Sequence, residues 1–141
     1  MTDEEKMQIA IDAAESGLCR RRKIGAALFD VNGNLLATGH NGTPQALPSC
    51  LETPCAGSEV PAGTGGAVGC PGCFGVHAEI DALLSCDTSL VYECFSTKAP
   101  CPACTLALLA TPCARVVFKM DSIDQTNKEI WQKTGKMWDQ I

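Results

Sequence analysis

The 141-residue sequence predicts an α/β fold in which helices layer against a sheet, and three observations predict it. Stretches with apolar residues at helical spacing alternate with short apolar runs of strand length. The pair Asn32-Gly33 sits between two such runs, which is a good hairpin signal. The length suits one domain with a real core and is too short for two ordinary ones, so residues 1–141 are expected to form a single unit. Alternating strands and helices are the pattern of a layered α/β domain.

The elements follow in order. Around residues 3–17, Met7, Ile11, Ala14 and Leu18 recur at helical spacing. Thr2 is placed to cap this helix with Glu5 three residues on, and Gly17 to close it. Residues 24–31 and 35–40 are two apolar segments joined by Asn32-Gly33-Asn34. From 41 to 76 the composition changes: many Gly and Pro residues and four cysteines, with little periodicity. A loop of this length is uncommon in a compact domain and is usually functional, and a metal is one thing that could hold it. Residues 77–85 read as a helix with Ile80, Leu83 and Leu84 on one face, 90–97 as a strand, 102–110 as a helix and 114–120 as a strand. Ser122 or Asp124 would cap a last helix running to about Lys133, and 135–138 would form a final short strand.

Hydrophobic residues make up 45% and charged residues 19%, the balance of a globular protein rather than a disordered one. The longest apolar stretches, such as 25–29 and 106–110, fall far short of the ~20 residues a membrane span needs. The start, Met1-Thr2-Asp3-Glu4-Glu5-Lys6, is acidic and polar and has neither part of a signal peptide. A soluble, cytoplasmic protein with no membrane partner is therefore expected. Lys and Arg number 11 against 16 Asp and Glu, a net charge of −5. Proteins that grip a polynucleotide gather excess cations to displace counterions, so this balance argues against a nucleic-acid partner. One basic run, Arg20-Arg21-Arg22-Lys23, suits a single phosphate group better than a long backbone; a solvated turn after a helix explains it equally well.

Ten cysteines dominate the composition. Without a secretory signal, disulfides are not expected, which leaves metal ligation and burial as small hydrophobes. Two local motifs carry the chemistry. His77-Ala78-Glu79 opens one helix, and Pro100-Cys101-Pro102-Ala103-Cys104 opens another. Catalytic zinc sites take three nitrogen or sulfur ligands and leave a fourth position for water, and His77, Cys101 and Cys104 make such a set. A helix start favours the thiolates. Glu79, two residues from His77, is close to the metal without ligating it, which is where a proton carrier should be. Zinc lowers the pKa of bound water to about 7, and Glu79 would take that proton, protonate the ring nitrogen and help ammonia leave.

His-x-Glu followed by Pro-Cys-x-x-Cys is the signature of the zinc nucleobase deaminases. The surrounding sequence resembles the deoxycytidylate deaminase family, phage members included, over most of residues 16–119. Ser16-Gly17-Leu18-Cys19-Arg20-Arg21-Arg22-Lys23-Ile24-Gly25-Ala26 looks like the family's first helix end and first strand. Thr38-Gly39-His40-Asn41-Gly42-Thr43-Pro44 looks like its Gly-Tyr-Asn-Gly-x-Pro segment, with Cys50 matching the cysteine that follows. Cys73 precedes His77 by four residues, as in the family. Free-nucleoside cytidine deaminases lack the cluster around Asn41 and Cys50, which favours a nucleotide.

The resemblance implies a cytidine-deaminase-like three-layer α/β/α sandwich with a mixed sheet of about five strands. It implies hydrolysis of dCMP to dUMP and ammonia, with dCTP as a further substrate. A polynucleotide, such as a tRNA or single-stranded DNA, or a modified cytosine nucleotide is the alternative. Asn41 would hydrogen-bond the sugar or base, and Arg21, Arg22 and Lys23 of the basic run would meet the phosphate. Ala78 would offer its backbone to the pyrimidine edge, and Phe95, Ser96 or Thr97 would line the pocket. Position 40 is His where the family usually has Tyr, and position 81 is Asp where it usually has Asn. Family members are usually oligomeric, often hexameric, with dCTP and dTTP as effectors of the larger enzymes. The phage members make an infected host's cytoplasm an equally suitable compartment.

Some phage-type members carry a second, structural zinc. The resemblance implies a closed site of Cys19, Cys50, Cys70 and Cys73, with Cys55 in reserve; Cys70-Pro71-Gly72-Cys73 is itself a Cys-x-x-Cys knuckle. Such a site would pin the long loop to the first helix. Cys86, Cys94 and Cys113 read as small core residues, and Trp131 and Trp138 as packing groups of the C-terminal helix.

Overall fold

The computed structural model describes residues 1–18, 22–49, 51–53 and 75–141. Helix α1 (Asp3–Ala14) begins at a capping box: the Thr2 hydroxyl accepts from Glu5 N–H at 3.2 Å, and the Glu5 carboxylate accepts from Thr2 N–H at 2.9 Å. The helix stops short of Gly17, and Leu18 instead donates its N–H to the Asn41 carbonyl at 2.8 Å. Strands β1 (Gly25–Phe29) and β2 (Leu35–His40) form the expected hairpin. At its turn the Asp30 carboxylate accepts the N–H groups of Asn32 and Asn34, both at 2.9 Å, and Gly33 takes the positive φ of 81°.

Beyond the long segment come α2 (Ala78–Leu83), a 3₁₀ turn at Thr88–Leu90, β3 (Glu93–Lys98), α3 (Pro102–Leu109), β4 (Arg115–Met120), α4 (Thr126–Gln132) and β5 (Met137–Gln140). Two boundaries moved from expectation for local reasons. The Asp87 carboxylate accepts from Ser89 N–H and winds the 3₁₀ turn, so β3 starts at Glu93 instead of at position 90. Gly135, at φ 76°, closes the turn after α4, and β5 begins two residues later.

The strands form one sheet in the order β2-β1-β3-β4-β5, antiparallel across β2, β1 and β3 and parallel across β3, β4 and β5. Helices α3 and α4 make the two crossovers that parallel neighbours require. Strand alternation then divides the core. Leu28, Cys94, Val116, Phe118 and Trp138 pack with Ala82, Leu83, Leu108 and Trp131 on the α2–α3–α4 side. Ala27, Phe29, Phe95 and Val117 pack with Met7 and Ala10 of α1 on the other. This is the three-layer sandwich with a mixed five-stranded sheet. Cys94 and Cys113 are buried within it, as expected of small apolar residues, while Cys86 is only partly covered. No helix among the described residues is long and apolar enough to cross a membrane.

The long segment leaves and rejoins the sheet at one place. Gly42 and Val76 form an isolated antiparallel bridge with N–H···O distances of 3.1 and 2.6 Å. The five cysteines assigned to a second metal, Cys19, Cys50, Cys55, Cys70 and Cys73, lie outside the described residues, as do Arg20 and Arg21.

Two glycines set how closely helices lie on the sheet. A Cβ on Gly25 would sit 2.0 Å from the Ala10 carbonyl oxygen, and one on Gly39 would sit 2.2 Å from the Ala78 carbonyl oxygen and 2.5 Å from Ala82 N. Both would meet helix backbone, which cannot rotate away.

At the far end of β3 and β4, a network of charges is partly or wholly buried. Lys6, 8% exposed, pairs with Glu93 and lies 5.2 Å from the centre of the Phe29 ring. Arg115 reaches Glu93 at 3.2 Å, Asp3 at 2.7 Å and Asp139 at 2.8 Å, joining α1, β3, β4 and β5. The hydrogen bonds from Arg115 hold the Asp3 carboxyl below its ordinary value, against the opposing effect of burial.

Gly39→Ala is expected to destabilise the fold by about 3 kcal/mol, whereas Gly135→Ala, with nothing near its Cβ, should cost about 1 kcal/mol of left-handed backbone strain. Urea midpoints measure the contrast, and equal losses would refute close packing at Gly39. A carboxyl whose folded value is depressed adds stability above its unfolded value, near 4, that is lost as pH falls through the folded one. Between pH 6 and pH 3 the wild-type chain should therefore lose more stability than Arg115→Met, as read by urea titration at each pH.

Candidate active site

Two helix starts converge on one point. His77 is the N-cap of α2 and Cys101 the N-cap of α3, both with extended backbone, and Pro102 begins α3 where its missing N–H costs nothing. Cys101 Sγ accepts from Cys104 N–H at 3.5 Å, so the Cys-x-x-Cys turn folds both sulfurs to the same side. His77 Nδ1 lies 3.0 Å from Cys104 Sγ and 3.2 Å from Cys101 Sγ, and the three donor atoms all fall within 4.8 Å of one another. Nδ1 is thus the ring nitrogen turned to the sulfurs, the atom that would ligate a metal.

This donor set fits zinc: one imidazole nitrogen and two sulfurs from separate helix starts, with no fourth protein donor in the group among the described residues. Its electrostatics agree. A hydrogen bond from Cys104 draws the Cys101 thiol down to about 4 against the cost of burial, with His77 adding to the effect. The Cys104 thiol is pushed up by that same hydrogen bond to Cys101, then by burial and by the neighbouring Glu79. Burial would lower the His77 imidazole, but its hydrogen bond and charge interaction with Cys101, with Glu79 beside them, raise it. The pair therefore holds one thiolate beside a protonated thiol, and a divalent cation is what would let both ionise.

Glu79 lies in the first turn of α2, 4% exposed. Its Oε1 accepts a hydrogen bond from Ser96 Oγ at 2.8 Å, which fixes a buried carboxylate beside the cluster. Of the three β3 positions expected to line the pocket, Ser96 alone faces this side. Phe95 is a correction: strand alternation turns it to the α1 face, where it stacks edge-on to Phe29 at 5.5 Å and is fully buried. Thr97 also points to the α1 side, its hydroxyl accepting from Gly25 N–H at 3.2 Å. Ala78 is the first residue of α2, where an N–H has no intrahelical acceptor.

Asn41 is 8% exposed and its amide is engaged with main chain. Oδ1 accepts from Ile24 N–H at 2.8 Å and Nδ2 donates to the Arg22 carbonyl at 2.7 Å. It thereby orders the chain that carries Arg22 and Lys23, both exposed, at the end of β2. The His40 N–H donates to Asp81 Oδ2 at 3.1 Å, so the two positions that depart from the family pattern tie β2 to α2.

The comparisons agree with this geometry. Residues 1–120 match the model of the cytidine and deoxycytidylate deaminase zinc-binding region. The deoxycytidylate deaminase of Mycobacterium phage D29 is 34% identical over 123 residues, covering 85% of this chain and 95% of the phage protein. That of Saccharomyces cerevisiae is 26% identical over 94% of the chain, which spans 42% of the yeast protein. The crystal structure of the dCMP deaminase of cyanophage S-TIM5, in complex with dCMP and dUMP, superposes with a TM-score of 0.76 at 26% identity, covering 100% of this chain and 99% of that one. Matched over residues 1–120 and 34% identical to a phage relative along nearly its whole length, the chain belongs to the cytidine and deoxycytidylate deaminase family.

Proposed function

We propose that the chain hydrolyses a free cytosine deoxynucleotide, dCMP, to dUMP and ammonia. The observation that carries this reading is the buried Glu79 carboxylate, held by Ser96 at 2.8 Å beside the His77, Cys101 and Cys104 cluster. A zinc ion held by those three residues supplies the Lewis acidity that makes water nucleophilic near neutral pH. Glu79 accepts the water proton and delivers it to N3 of the cytosine, and the oxygen joins C4. Glu79 then passes the second proton to the amino group, so the C4–N bond breaks to release ammonia and leave the uracil carbonyl. Burial keeps that carboxylate away from bulk water, and the Ser96 hydroxyl fixes its orientation.

Substrate binding follows from what surrounds it. The Ala78 N–H meets the pyrimidine edge, and Asn41 keeps one amide hydrogen and one Oδ1 lone pair for the sugar. Arg22 and Lys23, with Arg20 and Arg21, meet the phosphate. The resemblance to whole phage enzymes named for deoxycytidylate supports the monophosphate, and the same cations would admit dCTP. We further assign a structural zinc to Cys19, Cys50, Cys70 and Cys73, supported by the cysteine spacing and by the nearby closure of the long segment at Gly42 and Val76. The protein acts as a homo-oligomer, in line with the resemblance.

Ammonia release from dCMP should fall by roughly four orders of magnitude in Glu79→Gln, the upper range for removing a general acid–base group, with zinc content and urea midpoint retained. Turnover of dCMP that survives the substitution would overturn the role of Glu79, and turnover of deoxycytidine equal to that of dCMP would overturn the nucleotide reading. Zinc analysis of the purified chain should give two ions per protomer, falling to one in the double variant Cys70→Ser, Cys73→Ser. One ion in both would refute the second site.

A further inference from the structure

The turn that carries Cys101 is unusually poor in main-chain donors. Pro100 and Pro102 flank Cys101 and neither has an N–H. Its carbonyls are held by α3, which the turn opens, and by α4. Thr105 donates to the Cys101 carbonyl through its hydroxyl and through its N–H, each at 2.8 Å. The Pro100 carbonyl accepts from Asn127 Nδ2 at 2.7 Å, with the Thr105 hydroxyl a further 3.4 Å contact. Asn127 comes from the first turn of α4, so the hydrogen bond spans 27 residues of sequence and reaches the residue immediately before a metal ligand.

Asn127 is 1% exposed, and a carbonyl can only accept, so the amide must present its NH₂ group to Pro100. That orientation leaves Oδ1 buried with no hydrogen-bond partner among the described residues. An apolar side chain of the same size would avoid the orphaned oxygen, so the residue makes physical sense only if its single bond to Pro100 does something packing cannot. α4 also lies beyond residues 1–120, the part matched by the family model. We infer that Asn127 is a positioning residue: it clamps the Pro100–Cys101 turn from α4 and so holds Cys101 in the geometry that retains zinc. Partners one shell behind a metal ligand typically change metal retention by about 10- to 100-fold when removed.

The inference rests on His77, Cys101 and Cys104 being the catalytic metal's ligands, and the test separates the two claims. Zinc-loaded full-length chain is mixed with a chromogenic chelator, and the component of zinc release missing from His77→Ala is assigned to this site. Asn127→Leu keeps the shape and removes both the donor and the orphaned oxygen. It is expected to release that component about tenfold faster, while the urea midpoint of the metal-free protein stays equal to or above that of wild type. An unchanged release rate would overturn the proposal and leave Asn127 as filler. Identical zinc release from His77→Ala and wild type would instead overturn the ligand assignment and the proposal with it. Should Asn127→Leu not fold, the wild-type chain gives the answer by NMR. The Asn127 side-chain NH₂ protons are expected to exchange more slowly with zinc bound than after chelation, and equal exchange in both states would overturn the clamp.

Discussion

Helix α2 can rest on β2 only because position 39 carries no side chain: the Ala78 carbonyl and the Ala82 amide occupy the space a Cβ would need. Everything at the catalytic end inherits its position from that contact. His77 precedes the helix and Glu79 sits in its first turn, so a helix raised by one ångström would carry both away from β3 and α3. The Glu79–Ser96 hydrogen bond and the approach of His77 to two sulfurs have little slack at 2.8 to 3.2 Å. Asp81, on the same helix, adds a second tie by accepting the His40 N–H. A substitution far from the chemistry can therefore act on it through a rigid helix rather than through any contact with substrate.

The sheet separates two kinds of polar burial. At the C-terminal end of β3 lie the Glu79 carboxyl held by Ser96 and the neighbouring His77, Cys101 and Cys104 cluster. At its N-terminal end, Lys6, Glu93 and Arg115 form a closed set of opposite charges with Asp3 and Asp139. Burying such charges is tolerable only when each is paired and hydrogen-bonded, and these are. They join α1 to three strands and so anchor the layer that lies across the sheet from the catalytic helices. Phe95 belongs to that layer, while its neighbour Ser96 belongs to the site.

Local patterns were the most readable part of the sequence. The capping box at Thr2 and Glu5, the Asn-Gly hairpin and the two helix starts at His77 and Cys101 each involve residues within four positions of one another. The layered fold and the three candidate metal ligands follow from them. The resemblance left Phe95, Ser96 and Thr97 as alternatives for the pocket; strand alternation separates Ser96 from the other two, but nothing local says which face meets α2, and the structure turns Phe95 to α1. Lys6 looks like a solvent-facing cation of an acidic helix until Glu93 and two aromatic rings are brought against it. The engagement of Asn41 with Arg22 and Ile24, and of Asn127 with Pro100, depends on tertiary neighbours 17 to 27 residues away that no spacing rule connects.

The bridge between Gly42 and Val76 has a bearing on how such a chain can diversify. Two main-chain hydrogen bonds fix the departure and return of the intervening segment at the edge of the sheet, one residue from Asn41 and one from His77. What passes between those fixed points can lengthen, shorten or acquire new ligands with only a slowly growing loop entropy. The positions of the residues flanking the bridge need not change in the process. The bridge resembles a socket: its two fixed ends adjoin Asn41 and His77, and the sequence joining them is exchangeable. Substrate range or regulation could then be revised in one stretch of sequence while the proton-transfer apparatus is left untouched.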